Sequence, residues 1–338
     1  MQPRRILVRL PSWVGDAVMA TPALRALRAA HPGAWIGVEG RPALAGLLAG
    51  LASFDAFLPD ASRSTFARVR ALRALQADLA VLLPDSPRAA LAPFLAGIPR
   101  RAGYARDPLR RFLLTDALEP PRAAGRRVPI SMIERYLRVT SRLGCPERGT
   151  QLELRVDPEI AEAVAKDLAR RGVGESERVL LVTPGAAFGS SKLWPPSHFA
   201  RACDALARGH GLLPVLAPAP GELAIARDVA ARMSQRSLVL AQPEATLAEL
   251  KALVARASLL LTNDTGPRQI AVALDRPCVV LMGPTDPRHT AHHLERQRVL
   301  REDVACSPCH HRRCPIDHRC MTRLAPERVV AAAAELLA

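Results

Sequence analysis

Short apolar runs alternate with helix-spaced apolar positions along most of the chain. Ile6-Leu7-Val8, Trp35-Ile36-Gly37-Val38 and Leu79 to Leu83 read as strands, and unbroken apolar runs of this length suit strands covered on both faces. Between them, Asp16 to Ala30, Pro42 to Leu51 and Arg88 to Ala96 carry helical spacing, with Val18, Leu24 and Leu27 near one face of the first. Pro99 to Pro129 is Arg- and Pro-rich and reads as irregular, and helices are predicted over Ser131 to Leu143 and Asp157 to Arg171. Arg171-Gly172-Val173-Gly174 reads as a helix end and linker.

The alternation then restarts. Strands are predicted at Val179 to Val182, Leu212 to Leu216, Leu259 to Leu261 and Val279 to Leu281. Helices are predicted at Ser197 to Arg208, after Gly221, at Leu247 to Ala257, Gly266 to Leu274 and Pro326 to Leu337. Strand–helix alternation is the signature of a parallel sheet flanked by helices. The pattern therefore gives an α/β chain with two Rossmann-like parallel-sheet domains, over 1–172 and 173–325, and a terminal helix over 326–338. Two open sheets in succession imply a cleft, and ligands of such sheets bind beyond the carboxyl ends of the strands.

Composition narrows the reading a little. The 338 residues are 49% hydrophobic, 4% aromatic, and carry a formal charge of +15. Lys166, Lys192 and Lys251 are the lysines, so arginine supplies nearly all the positive charge. Abundant Arg, Ala and Pro fit a codon bias, which weakens a nucleic-acid reading; aromatic platforms and any recognised nucleic-acid module are also missing. Anionic substrates or an anionic membrane surface suit the charge better. No apolar run approaches the ~20 residues that a membrane-spanning helix needs. Arg9, Pro11 and Asp16 interrupt what would be a signal-peptide core, so a cytoplasmic chain is expected. Its seven cysteines then read as thiols or ligands.

Four loops after strands can carry chemistry. In Arg9-Leu10-Pro11-Ser12-Trp13-Val14-Gly15-Asp16, the aspartate reads either as a helix cap or as a general base kept ionised by a helix N-terminus. In Pro184 to Pro195, Ser190, Ser191 and Lys192 offer hydroxyls and a cation to phosphate oxygens, although the pattern is not a P-loop. In Thr262-Asn263-Asp264-Thr265-Gly266, the amides of Thr265 and Gly266 suit a pyrophosphate, and Asp264 suits sugar hydroxyls or a cap. Gly283-Pro284-Thr285 is the fourth. No D-x-D pair occurs, which favours phosphate neutralisation without a divalent cation, and no dinucleotide G-x-G-x-x-G of an epimerase follows the first strand. Cys306, Cys309, Cys314 and Cys320 lie close enough in sequence to wrap a structural zinc, or to form a reduced thiol-rich loop. The remaining cysteines, Cys145, Cys203 and Cys278, read as buried small hydrophobes.

Taken together, Ser12-Trp13-Val14-Gly15-Asp16, Pro184-Gly185-Ala186 with Lys192-x-Trp194-Pro195, Thr262 to Gly266 and Gly283-Pro284-Thr285 resemble the lipopolysaccharide heptosyltransferases of glycosyltransferase family nine. The form of the first motif is that of the second heptosyltransferase rather than the first. The resemblance spans nearly the whole chain and implies a GT-B fold and inverting, metal-independent transfer of heptose from ADP-heptose to the inner-core heptose on Kdo-lipid A. No cofactor beyond the donor is implied, and the expected setting is the cytoplasmic face of the inner membrane. By position, Asp16 would be the base, closing of the domains bringing it to the donor. Ser190, Ser191, Lys192, Thr265 and Gly266 would hold the donor phosphates, Asp264 the heptose, and Glu222 the nucleoside. Gln269 stands where the family usually has His, and it follows Arg268, which keeps another sugar or glycan open. Ser12 and Trp13, with the basic Arg100, Arg101 and Arg106 followed by Arg110 and Arg111, are the candidates for an anionic acceptor.

Overall fold

The structure, a computed structural model, describes residues 2–60, 64–123, 125–241 and 244–338. The chain divides into two compact units, Met1–Glu153 with Arg288–His292, and Leu154–Pro287 with His293–Ala338.

In the first unit, β1 (Arg5–Arg9), β2 (Trp35–Gly40), β3 (Ala56–Pro59), β4 (Leu79–Leu82), β5 (Arg100–Tyr104) and β6 (Asp116–Leu118) form one parallel sheet in the order β3-β2-β1-β4-β5-β6. β1 is fully buried over Ile6 to Val8 because it lies mid-sheet with helices on both faces. The stretch expected to be a single helix over Asp16 to Ala30 is instead two, α1 (Val14–Met19) and α2 (Thr21–Ala30). Pro22 lacks the amide that a continuous helix needs there, and Thr21 Oγ1 donates to the Val18 carbonyl at 2.8 Å across the break. Helix α3 (Leu44–Leu48) is shorter than its apolar pattern. Three further helices, α4 (Thr65–Ala74), α5 (Pro87–Leu95) and α6 (Pro108–Leu113), cover one face through Val69, Leu72, Ala90, Ala92 and Leu113. α7 (Met132–Arg142), capped by Ser131, packs on α2. The stretch from Pro99 to Pro129, expected to be irregular, thus contains two strands and a helix, followed by a hairpin of β7 (Arg122–Ala123) and β8 (Arg126–Arg127). Its arginines hid the pattern. Arg110 is buried and donates to the carbonyls of Leu82, Pro84, Ser86 and Tyr104, so a charged residue fills an interior position by satisfying backbone acceptors.

The second unit begins with α8 (Pro158–Arg170), which packs against a helix of its own sheet. β9 (Arg178–Thr183), β10 (Leu212–Leu216), β11 (Leu238–Val239), β12 (Leu259–Asn263), β13 (Cys278–Leu281) and β14 (Gln297–Leu300) repeat the same wiring, in the order β11-β10-β9-β12-β13-β14. α9 (Pro196–His210), α10 (Leu223–Ala231), α11 (Leu247–Arg256), α12 (Gly266–Ala273), α13 (Arg319–Thr322) and α14 (Pro326–Leu337) surround it. Thr246 and Glu249 form a reciprocal cap on α11. Trp194, Phe199, Leu206, Met321 and Val329 fill the core between β9–β13 and the helices. Among the described residues, no helix is long and apolar enough to cross a membrane.

In each sheet the connections turn one way on one side of the central pair and the other way on the other. That pair is β1 and β4 in the first unit, β9 and β12 in the second. Loops leaving the two strands of such a pair diverge onto opposite faces and leave a crevice at the carboxyl edge. Asp16 follows β1; Lys192 follows β9 and Asp264 follows β12.

Candidate functional site

The crevice of the second unit brings together residues far apart in sequence. Lys192 Nζ donates to the Asp264 carbonyl at 2.6 Å and to its Oδ2 at 2.9 Å. Asp264 Oδ1 accepts from the Arg268 guanidinium at 3.1 Å, and Oδ2 accepts from Thr285 Oγ1 at 2.7 Å. Burial would raise this carboxyl, but the charges of Lys192 and Arg268 outweigh it and hold Asp264 below the ordinary carboxylate range. The capping reading of Asp264 does not hold, since the N-cap of α12 is Thr265 and has no side-chain cap bond. Arg268 is also buried, and its Nε donates to Gln297 Oε1 at 2.8 Å on β14. Gln269 is buried on α12, one turn beyond Thr265 and Gly266.

Asn263 ties the two loops together. Its side chain donates to the Pro184 carbonyl at 2.7 Å and accepts from the Trp194 amide at 3.2 Å. Thr183 and Thr262 meet hydroxyl to hydroxyl at 2.6 Å on the adjacent strands. Neither Asn263 nor Gln297 stood out as a site residue in the sequence. An amide side chain at the end of an apolar strand was the available signal for Asn263.

Glu222 lies over Gly185, just after β9, where an added Cβ would displace its carboxylate. Burial raises the Glu222 carboxyl, while the amides of Ala219 and Ala186 pull the other way. Ser190 is exposed, whereas Ser191 is buried and donates to the His311 carbonyl at 2.5 Å. The two serines expected to act alike are thus differently placed, one facing solvent and one already committed to backbone.

The cysteine-bearing segment is joined to this site. The Ser191 amide donates to the Arg312 carbonyl at 3.1 Å, and the His318 ring lies 2.7 Å from the Ser191 carbonyl. The Cys309 and His310 amides both donate to the Pro284 carbonyl, beside Thr285. Cys320 is buried against Gly283 and its thiol is pushed up to about 11, first by burial. Cys314 Sγ accepts from the His318 amide at 3.3 Å, and Cys306 is exposed. Among the described residues, no group of three or more His, Cys, Asp or Glu is disposed to hold a metal ion.

In the first unit, Asp16 is the third residue of α1 and half-buried. The N-cap is Trp13, so the capping reading of Asp16 is corrected: its carboxylate lies inside the first turn. The fully buried Tyr136 lies near it on α7, and its phenol is raised first by burial and then by the Asp16 charge. On the same helix, Arg135 pairs with Asp85, after β4, and stacks over the Tyr104 ring at 4.0 Å. Ser12 and Trp13 are exposed. Arg100 and Arg101 begin β5, at the sheet edge opposite the loop of Asp16. Arg100 pairs with Asp116 at 3.0 Å, and Arg101 donates to the Leu113 carbonyl at 2.7 Å. Arg106 is exposed between β5 and α6.

Known proteins share this sequence and arrangement. The pattern of glycosyltransferase family 9 (heptosyltransferase) matches residues 65–319. Lipopolysaccharide heptosyltransferase 2 of Salmonella typhimurium is 30% identical over 315 residues, 88% of each chain. The structure of E. coli ADP-heptose lps heptosyltransferase II superposes with a TM-score of 0.82, at 27% identity, over 98% of both chains. E. coli heptosyltransferase WaaC with ADP-2-deoxy-2-fluoro heptose shares the fold, with a TM-score of 0.71 at 22% identity over 98% of this chain and 99% of the other. With the family pattern spanning most of its length on this doubled parallel-sheet frame, the chain belongs to glycosyltransferase family 9.

Proposed function

We propose that this chain transfers L-glycero-D-manno-heptose from ADP-heptose to the inner-core heptose of Kdo-lipid A, with inversion. The observation that carries the reading is the pairing of Lys192 with Asp264 at the β9–β12 crevice, joined to relatives named for heptosyl transfer. An ADP-sugar places its pyrophosphate at the start of α12, where the amides of Thr265 and Gly266 and the cation of Lys192 meet phosphate oxygens. Lys192 then moves its charge from Asp264 to the leaving group, where negative charge grows as the glycosidic bond breaks. Arg268 stays on Asp264 and keeps it ionised to accept hydrogen bonds from sugar hydroxyls. Asp16 takes the proton of the acceptor hydroxyl as that oxygen attacks the anomeric carbon opposite the departing ADP.

Glu222, beside Gly185, supports a role toward the nucleoside. Ser190 is the exposed hydroxyl for a phosphate, and Ser191 holds the loop in shape. A divalent cation has no step in this scheme. The acceptor's phosphates and carboxylates suit the arginine-rich first unit, and a peripheral position at the cytoplasmic face of the inner membrane follows from a lipid-borne acceptor. Gln269 favours a second reading, a related transferase with another ADP-sugar, because a neutral amide selects hydroxyl patterns differently from a titratable ring. Incubation of the purified chain with ADP-heptose and truncated core acceptors, read by mass spectrometry, tests the proposal. One added heptose is expected. No added mass with any core acceptor refutes it.

A further inference from the structure

We infer that the outer face of α5 and α6 is a membrane-docking surface that lies on an anionic phospholipid bilayer. Eight large apolar side chains stand out as exposed among the described residues, and four of them fall on these two adjacent helices. Leu91 and Leu95 are 38% and 45% exposed, and Leu109 and Phe112 are 60% and 70% exposed. They are spaced four and three residues apart, so each pair occupies one helix face. The two helices pack together, and Phe94 of α5 meets Phe112 of α6 with ring centroids 5.6 Å apart. The result is a continuous apolar surface, with Arg101 stacked over Phe94 at 5.2 Å.

The charge around this surface is predominantly positive. Neither α5 nor α6 contains a carboxylate, and Arg88, Arg106 and Arg111 are exposed on or beside them. Asp107 is occupied with capping α6 through the Arg110 amide, and Glu119 is paired with Arg111 at 2.8 Å. Leucine and phenylalanine enter the boundary between headgroups and acyl chains, while arginine remains at the level of anionic headgroups. A second copy of the chain fits this face poorly. A two-fold contact would bring the same arginine rim against itself.

The inference rests on the function proposed above only in expecting a lipid-borne acceptor. Vesicle binding requires neither donor nor acceptor, so the two can fail separately. The full chain is sedimented with vesicles of phosphatidylcholine alone, or of phosphatidylcholine mixed with phosphatidylglycerol. Wild type is expected to bind the mixed vesicles, and to lose binding as salt rises. L109S/F112S should weaken that binding by about tenfold or more, since both side chains lose their apolar burial. R88Q/R111Q should weaken it by about tenfold and flatten the salt dependence. Unchanged ADP affinity shows that both variants are folded. Absence of wild-type binding, or equal binding by L109S/F112S, overturns the proposal. So does a concentration-dependent dimer that L109S/F112S abolishes, which would assign the face to a second copy.

Discussion

Replacing Arg268 by Met removes a buried cation while filling much of the same volume. Among the partners affected, Asp264 Oδ1 loses a charged donor at 3.1 Å, and Gln297 Oε1 loses its donor at 2.8 Å. Breaking a buried pair outright costs about 3–5 kcal/mol. Asp264 retains Lys192 and Thr285, so its share falls to that of one charge-assisted hydrogen bond, about 1.5–3 kcal/mol. A loss of roughly 2–4 kcal/mol is expected in urea unfolding, and R268M/Q297M should recover part of it by removing the stranded amide. The acid limb sharpens the test. Asp264 is held below its unfolded value, so its contribution is complete above the ordinary carboxylate pKa and disappears as pH falls through the depressed folded value. Without Arg268 the folded value rises, and the acid-unfolding midpoint must move to higher pH. Lys192 also becomes the only remaining cationic partner of Asp264 in the group described above, so moving it to pyrophosphate costs more. Calorimetry should find ADP bound about tenfold more weakly by R268M, with adenosine unaffected. Equal weakening of ADP and adenosine, or an unmoved acid midpoint, would refute the reasoning.

Asp16→Asn should keep its ADP affinity while transfer falls by about 10²–10⁴-fold, the span of a lost general base; near-normal turnover would remove Asp16 from the chemistry. Gly185→Ala drives a Cβ into the Glu222 carboxylate, so adenosine binding should fall, and G185A/E222A should regain the lost thermal stability but not the affinity. Trp194→Ala empties a 1%-exposed site and strands the Leu324 carbonyl that accepts its indole N–H, at a cost of about 3–5 kcal/mol in chemical unfolding. Transfer measured with and without EDTA should be equal, because the proposed charge neutralisation lies with Lys192 and backbone amides.

The sheets were legible wherever burial on both faces made their strands uniformly apolar, as at Ile6 to Val8 and Val179 to Val182. β5 was not, since Arg100 and Arg101 open it, Arg101 holding neighbouring carbonyls and Arg100 pairing with Asp116. β14 was obscured in the same way by Gln297 and Arg298, one of which is a buried partner of Arg268. The site was legible as loops, because turn chemistry and polar residues after apolar runs are local. Its connections were not. The contacts that set Asp264 come from positions 192, 268 and 285, and Asn263 reaches back to 184 and 194; no periodicity encodes such distances. Asp16 and Asp264 both looked like caps because sequence locates a helix start only to within a residue or two. A shift of that size moves Asp16 from the cap position into the first turn and Asp264 to the residue before the cap.

The strap formed by His311, Arg312 and His318 bears on how this protein can be re-engineered. Gly189, at φ 150°, passes so close beneath the Arg312 carbonyl that no larger residue fits, and Ser191 is held from the same side. The Lys192 loop therefore depends on two segments more than a hundred positions apart in the chain, one carrying Lys192 and one shaping it. A graft of Gly189–Lys192 into another scaffold transfers the residues without their mould. The heritable module is the discontinuous pair, and recombination that separates loop from strap should yield chains that fold but hold the lysine in the wrong place.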